Sequence, residues 1–279
     1  TRQKYLTVVL AAAPASIHCI HNEFTMSQSE ELLYQVQDHV AILTLNAPQR
    51  LNTISGPMLS TLSERLLEAD ADKNVRAIIL TGAGKMFCAG LDLKQQTQGD
   101  GITGGSQVPR LDIRNAPPTV IHQLDTPTIC ALNGAAAGYG LDTALGCDIR
   151  VMSDKAKLSA AFCARGIVPE SGGTWLLPKL IGWSKAAEII FTGKVLNAEE
   201  SLEMGLVSYS VAPEQVFDKA MEIAQSIAAN APLAVQASKR MMRMGLNEPF
   251  PEHVHHVFLQ LLPLLSSNDA KEGMLAFLE

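Results

Sequence analysis

Apolar positions near the start of the patterned chain fall into two short runs. Leu33, Tyr34 and Val36 form the first, and Val40, Ile42, Leu43 and Leu45 the second, with Gln37-Asp38-His39 between them. This predicts two strands joined by a turn. A loop from Ala47 to Asn52 follows, and then Met58, Leu59, Leu62, Leu66 and Leu67 recur at three- and four-residue intervals, so 56–72 reads as a helix. Val75 to Thr81 reads as a buried strand. The rhythm returns with a strand at Pro127 to Leu132, a helix at 138–147 and a strand at Asp148 to Met152. Strands separated by crossover helices imply a parallel sheet and an α/β fold. Beyond residue 183 the pattern is largely helical, over Ala198 to Met204, Pro213 to Asn230, Pro232 to Met244 and Pro251 to Leu265. These helices are expected to pack over the sheet or against neighbouring subunits. Residues 94–109, rich in Gly and Gln, read as a mobile loop.

Composition narrows the partners. The chain has 279 residues, is 47% hydrophobic and carries a formal net charge of −6 without a long Lys/Arg run. One domain with a sizeable core fits, and nucleic acid or an anionic membrane does not. No apolar run reaches the roughly 18 residues that span a bilayer. Tyr5 to Ala13 is a short apolar stretch behind Arg2 and Lys4, faintly like a secretory signal, but Met26 opens a polar segment leading straight into the first strand. Residues 1–25 are therefore read as an extension outside the fold. Cys19, Cys88, Cys130, Cys147 and Cys163 are scattered with no CxxC pair, which points away from zinc and disulfide frameworks and toward a reducing cytoplasm. His253, His255 and His256 cluster without a third ligand at matching spacing, so no metal site is expected and a solvent- or interface-facing helix is the better account.

Three segments carry candidate chemistry. Gly82-Ala-Gly-Lys-Met-Phe-Cys-Ala-Gly-Leu-Asp92 places a glycine-marked turn after a strand and, by expectation, before a helix. Asn133-Gly-Ala-Ala-Ala-Gly-Tyr-Gly-Leu-Asp142 repeats that arrangement. Glycine allows the positive φ and close approach that backbone N–H donors need, and a helix start adds a favourable dipole. Two such turns suggest a pair of amides aimed at one oxygen gaining negative charge. The third segment, Arg165-Gly-Ile-Val-Pro-Glu-Ser-Gly-Gly-Thr174, supplies the carboxylate of Glu170. Taken singly, each has an ordinary reading: a strand-to-helix loop, a carboxylate at Asp142 complementing a helix dipole, and a cap at Glu170.

Together, in this order and separation, the segments resemble the crotonase, or enoyl-CoA hydratase/isomerase, superfamily. Phe87-Cys-Ala-Gly-Leu-Asp92, Asn133-Gly with Gly146-Cys-Asp-Ile149, Pro169-Glu-Ser-Gly-Gly-Thr-Trp-Leu-Leu-Pro178, Phe191-Thr-Gly193 and Ala198 to Val207 carry the likeness. The resemblance implies a spiral of β-β-α units over residues 26–210 and a C-terminal helical trimerisation region over 211–279, assembled as a trimer or a dimer of trimers. It implies an acyl-CoA thioester substrate and no separate cofactor. The oxyanion donors would be the backbone N–H groups of Leu91 and Tyr139, the latter standing where the family usually has Gly. Ala89, Gly90 and Gly138 would shape the two turns, and Asp92 would order the first. Arg50 would lie near the nucleotide of CoA, with Lys271 and Phe277 near the ligand and Phe162 and Trp175 lining the acyl site.

The family's hydratases hold a water between two glutamates, and those slots here contain Asp142 and Phe162. Phenylalanine neither accepts a proton nor holds a water. Glu170 occupies a third slot, where relatives with an acid include enoyl-CoA and dienoyl-CoA isomerases and some acyl-CoA hydrolases. One carboxylate suffices to move a double bond. Δ3,Δ2-Enoyl-CoA isomerisation is therefore ranked first, 2-enoyl-CoA hydration second and thioester hydrolysis third. Apolar neighbours such as Phe162, Trp175 and Leu176 are expected to raise the basicity of Glu170.

Overall fold

The computed structural model describes residues 31–92 and 113–278; the expected 1–25 extension and the 94–109 loop lie outside the described residues. Strands β1 (Leu32–Gln37) and β2 (Val40–Leu45) pair antiparallel, and the turn at Asp38 and His39 has positive φ at both positions. That is the backbone twist a two-residue hairpin favours. Helix α1 (Gly56–Ala71) starts at Ser55, whose side chain accepts from the Met58 amide at 3.1 Å, and buries Met58, Leu62 and Leu66 as its spacing predicts.

Parallel pairing then extends the sheet through β3 (Ala77–Gly82), β5 (Thr128–Leu132), β7 (Ile149–Ser153) and β10 (Tyr209–Val211), in the order β1-β2-β3-β5-β7-β10. Both faces of this sheet are buried. Ala41, Leu43, Ile78, Leu80, Cys130 and Leu132 point to one side, and Val40, Ile42, Ala77, Ile79, Ile129 and Ala131 to the other. The two-residue period separates these sets, which is why the strands read as continuous apolar runs. Helix α7 (Val216–Ala228) closes the second face with Val216, Ala220 and Ala224, one side chain per turn.

A second sheet, not expected from the sequence, has the order β4-β6-β8-β9: β4 (Met86–Cys88), β6 (Ala135–Ala137), β8 (Leu158–Ser159) and β9 (Val195–Leu196). Its strands are two or three residues long, too short for a period to show in the sequence. Their function is positional, because β4 and β6 lead into the two glycine-marked turns. The remaining helices are α2 (Pro117–Gln123), α3 (Tyr139–Gly146), α4 (Gly173–Ile181), α5 (Trp183–Thr192), α6 (Ala198–Glu203), α8 (Pro232–Gly245), α9 (Phe250–Leu264) and α10 (Asn268–Leu278).

Helix α8 is fastened to the core by charge. Asp125 meets Arg240 and lies 3.1 Å from Arg243, while Lys239 Nζ is 2.7 Å from Asp148. Helix α9 has no buried residue, and Phe250, Phe258 and Leu262 stand open on it. Its His253 and His256 both face Glu248, each with Nδ1 at 3.1 Å, a partner the sequence reading did not foresee. Among the described residues no cluster suited to a metal occurs, and no helix is long and apolar enough to cross a membrane.

Candidate active site

The first turn is held from below by a buried asparagine. Asn52 Oδ1 accepts from the Ala47 amide at 2.9 Å, and its Nδ2 donates to Ala83 O at 2.9 Å and Met86 O at 2.8 Å. This ties the 47–52 loop to the start of β4, a role the sequence did not reveal. A lone bridge then joins Ile54 to Leu91: the Ile54 amide donates to Gly90 O at 2.8 Å, and the Asp92 amide to Ile54 O at 3.0 Å. A parallel bridge of that kind uses the residues on either side of Leu91 and leaves its own N–H directed away. Arg50 pairs with Glu31 at 2.6 Å and with Asp92 at 3.4 Å, so both side chains brace this turn.

The second turn is built the same way. Gly90 and Gly138, which immediately precede Leu91 and Tyr139, have φ of +105° and +54°, where a Cβ would be strained. Tyr139 opens α3, and the N–H of a first helical residue has no intrahelical acceptor. The turns approach backbone to backbone. A Cβ at Gly90 would sit 3.7 Å from the Tyr139 amide nitrogen, and one at Gly140 only 2.4 Å from Cys88 O. Two amides released from the local ladders therefore stand in adjacent turns.

Beside them opens a cavity of about 910 Å³, lined by Leu91, Glu170, Thr174, Pro178 and side chains of α5 such as Ile190 and Phe191. Glu170 is exposed to this space. Its wall is mostly apolar, and the contribution of α5 was missed because those positions belong to an ordinary amphipathic pattern. Asp142 behaves differently. It is 0% exposed, takes the Gly173 amide on Oδ2 at 3.4 Å and has no partner on Oδ1. Burial pushes its carboxyl up to about 7, against the Gly173 amide, which favours the ionised form; the Glu170 charge adds to the rise.

The other predicted residues separate. Ala89 and Gly90 belong to the bridged turn, with the Ala89 amide donating to Leu51 O at 3.1 Å. Phe162 is 3% exposed and packs in the core instead of forming cavity wall. Trp175 corrects an expectation: it lines a second cavity of about 750 Å³, edge-on to His122 at 5.2 Å and under Lys179 Nζ at 4.7 Å. Leu176 lines that second cavity too. Helical geometry is the reason, since Thr174 and Pro178 share one face of α4 and Trp175 and Lys179 the next. Lys271 is exposed on α10 and lines neither cavity, while the Phe277 side chain lies outside those described.

The sequence profile described as enoyl-CoA hydratase/isomerase matches residues 35–279. The chain belongs to the enoyl-CoA hydratase/isomerase family. Within this crotonase-type family, it is 33% identical over 256 residues to the short-chain-enoyl-CoA hydratase of Clostridium acetobutylicum, covering 89% of this chain and 94% of that one. It is 38% identical over 202 residues to the 1,2-epoxyphenylacetyl-CoA isomerase of Escherichia coli, covering 71% and 76%. The crystal structure of an enoyl-CoA hydratase from Mycobacterium tuberculosis superposes with a TM-score of 0.82 at 32% identity, over 89% of this chain and 96% of that chain. The fold is accordingly that of the crotonases, and this family member is an enzyme acting on acyl-CoA thioesters.

Proposed function

We propose that this enoyl-CoA hydratase/isomerase acts as a Δ3,Δ2-enoyl-CoA isomerase. One observation carries the reading: among the described residues a single carboxylate, Glu170, lines the cavity beside Leu91, whereas Asp142 is sealed and Phe162 offers no acid. The Glu170 carboxylate takes a proton from C2 of a 3-enoyl thioester. Charge moves onto the thioester oxygen, where the amides of Leu91 and Tyr139 donate to it. The proton returns from Glu170 to C4, leaving the double bond between C2 and C3. Each such donor is worth roughly 2.7–4 kcal/mol in comparable sites. The acyl chain runs along the apolar wall from α5, and the CoA end lies toward Arg50.

Incubation with 3-enoyl-CoA and 2-enoyl-CoA in parallel, read by mass and absorbance, tests this. An unchanged mass with a shifted double bond is expected; a gain of one water would refute it. E170Q keeps the shape and removes the base, so turnover should fall by about 10²–10⁴-fold. Near-normal turnover would reject the assignment. Hydration is the second reading, favoured by Asp142, whose ionisation already responds to Glu170.

The open apolar side chains of α9 and α10, among them Phe250, Phe258, Leu262 and Leu275, suit burial against further copies of the chain. A homotrimer or a dimer of trimers is the assembly we propose, and light scattering at working concentration tests it.

A further inference from the structure

The cavity beside Glu170 is a trough whose length the helices set. Thr174 and Pro178 stand four residues apart on one face of α4, and both line it. Helix α4 begins three residues after Glu170 and runs for nine residues, about 13 Å at about 1.5 Å per residue. Only Gly182 separates its end from α5. Trp183, which opens α5 and belongs to the same wall, therefore marks the end remote from the acid.

Helix α5 supplies the long side of the trough. Trp183, Ala187 and Phe191 fall at four-residue intervals in one row, with Ala186 and Ile190 in the row beside it. Ala186 and Ile190 are buried, Ala187 is half-buried, and Trp183 and Phe191 stand open. A methyl group between two aromatic side chains leaves a notch midway along the wall. The chemistry of the lining is selective as well. Apart from Glu170, its polar side-chain groups are the Thr174 hydroxyl, the Cys163 thiol and the Trp183 indole N–H, and none is charged. A carboxylate lying along this wall would lose its hydration without an opposite charge to meet.

We propose, resting on the reading above that the acyl chain follows α5, that the substrate is the CoA thioester of a straight hydrocarbon chain of about ten carbons and that Ala187 sets this length. A staggered carbon chain advances about 1.3 Å per atom, so about 13 Å of trough takes roughly ten carbons. An acyl group of about four carbons would leave most of the apolar wall in water. Each CH₂ up to the full length leaves water and should raise kcat/KM about fourfold. Carbons beyond it pass Trp183 and add nothing.

The test is a length series. Straight-chain 3-enoyl- and 2-enoyl-CoA thioesters of about four to fourteen carbons are given to wild type, A187F and A187L, with folding checked by circular dichroism and products by mass. Wild-type kcat/KM should climb and level off near about ten carbons. In A187F, and in A187L if the phenylalanine variant does not fold, the plateau should come near about six carbons, and the preference for the ten-carbon over the four-carbon chain should fall on the order of a hundredfold. A chain of about six carbons ending in a carboxylate, whose charge would fall at Ala187, should be used about a hundredfold less well than the plain chain.

A wild-type profile that is flat or highest at the shortest chain overturns the proposal, as does an unchanged length preference in a folded Ala187 variant or equal use of the carboxylated chain. Hydrated products with the expected length profile would overturn the isomerase reading and support this one. Isomerised products with a flat profile would do the reverse.

Discussion

D142N replaces a buried carboxyl with a neutral group of the same shape, and its consequence for stability follows from the site. The folded-state value is about 7 and the ordinary value 3.8, a separation of about 3 units. At about 1.36 kcal/mol per unit this is roughly 4 kcal/mol of linkage. Between about pH 4 and pH 7 the folded chain holds this proton and the unfolded chain releases it, so stability is fully present below about pH 4 and is lost as pH rises. About two-thirds of the loss is reached by pH 6, and nearly all of it by pH 8. In D142N the contribution is absent. The assay is urea unfolding of wild type and D142N from about pH 4.5 to about pH 8.5, at one protein concentration so that any assembly enters both curves equally. About 3.3 kcal/mol of that linkage is lost across this range, so with a slope of about 2–3 kcal/mol per molar the gap between midpoints should move by roughly 1.1–1.7 M in favour of D142N. Midpoints that track each other at every pH would refute the account of Asp142 as a desolvated, titrating acid.

Three further outcomes test other parts of the site. N52A removes three hydrogen bonds of a buried side chain and places alanine at φ +53°, so it should cost roughly 3 kcal/mol and lower Tm by roughly 6–12 °C in calorimetry. G140A puts a Cβ 2.4 Å from Cys88 O, forcing the two donor turns apart; kcat should fall by about 10²-fold with little change in circular dichroism. Alkylation with iodoacetamide should mark Cys163 before Cys88, Cys130 or Cys147 and should be slowed by an acyl-CoA. Cys163 is exposed on the cavity wall, while the other three are buried and burial holds the Cys88 thiol up at about 12. Equal labelling of Cys88 and Cys163 would contradict this placement.

The sequence by itself determined five strands of the main sheet and several of the helices around it, but not the three-residue edge strand β10 or the helices α2 and α10. β2, β3 and β5 carry enough consecutive apolar residues, and α1 and α7 enough turns, for local periodicity to declare them. The two glycine-marked turns and the position of Glu170 were legible for a related reason, since the glycines, the proline and the acid are distinctive residue types at fixed offsets. Only the tertiary structure decided which acid would be buried. Glu170 has apolar neighbours in sequence yet opens into the cavity, whereas Asp142, unremarkable in a helix start, is sealed by Gly173 of a distant helix. Trp175 was misplaced because sequence adjacency to Thr174 says nothing about which face of α4 meets which cavity. The short second sheet and the Asn52 brace were unreadable for the same physical reason: their strand partners and the Ala83 and Met86 carbonyls lie roughly 20 or more residues away, and only packing brings them together.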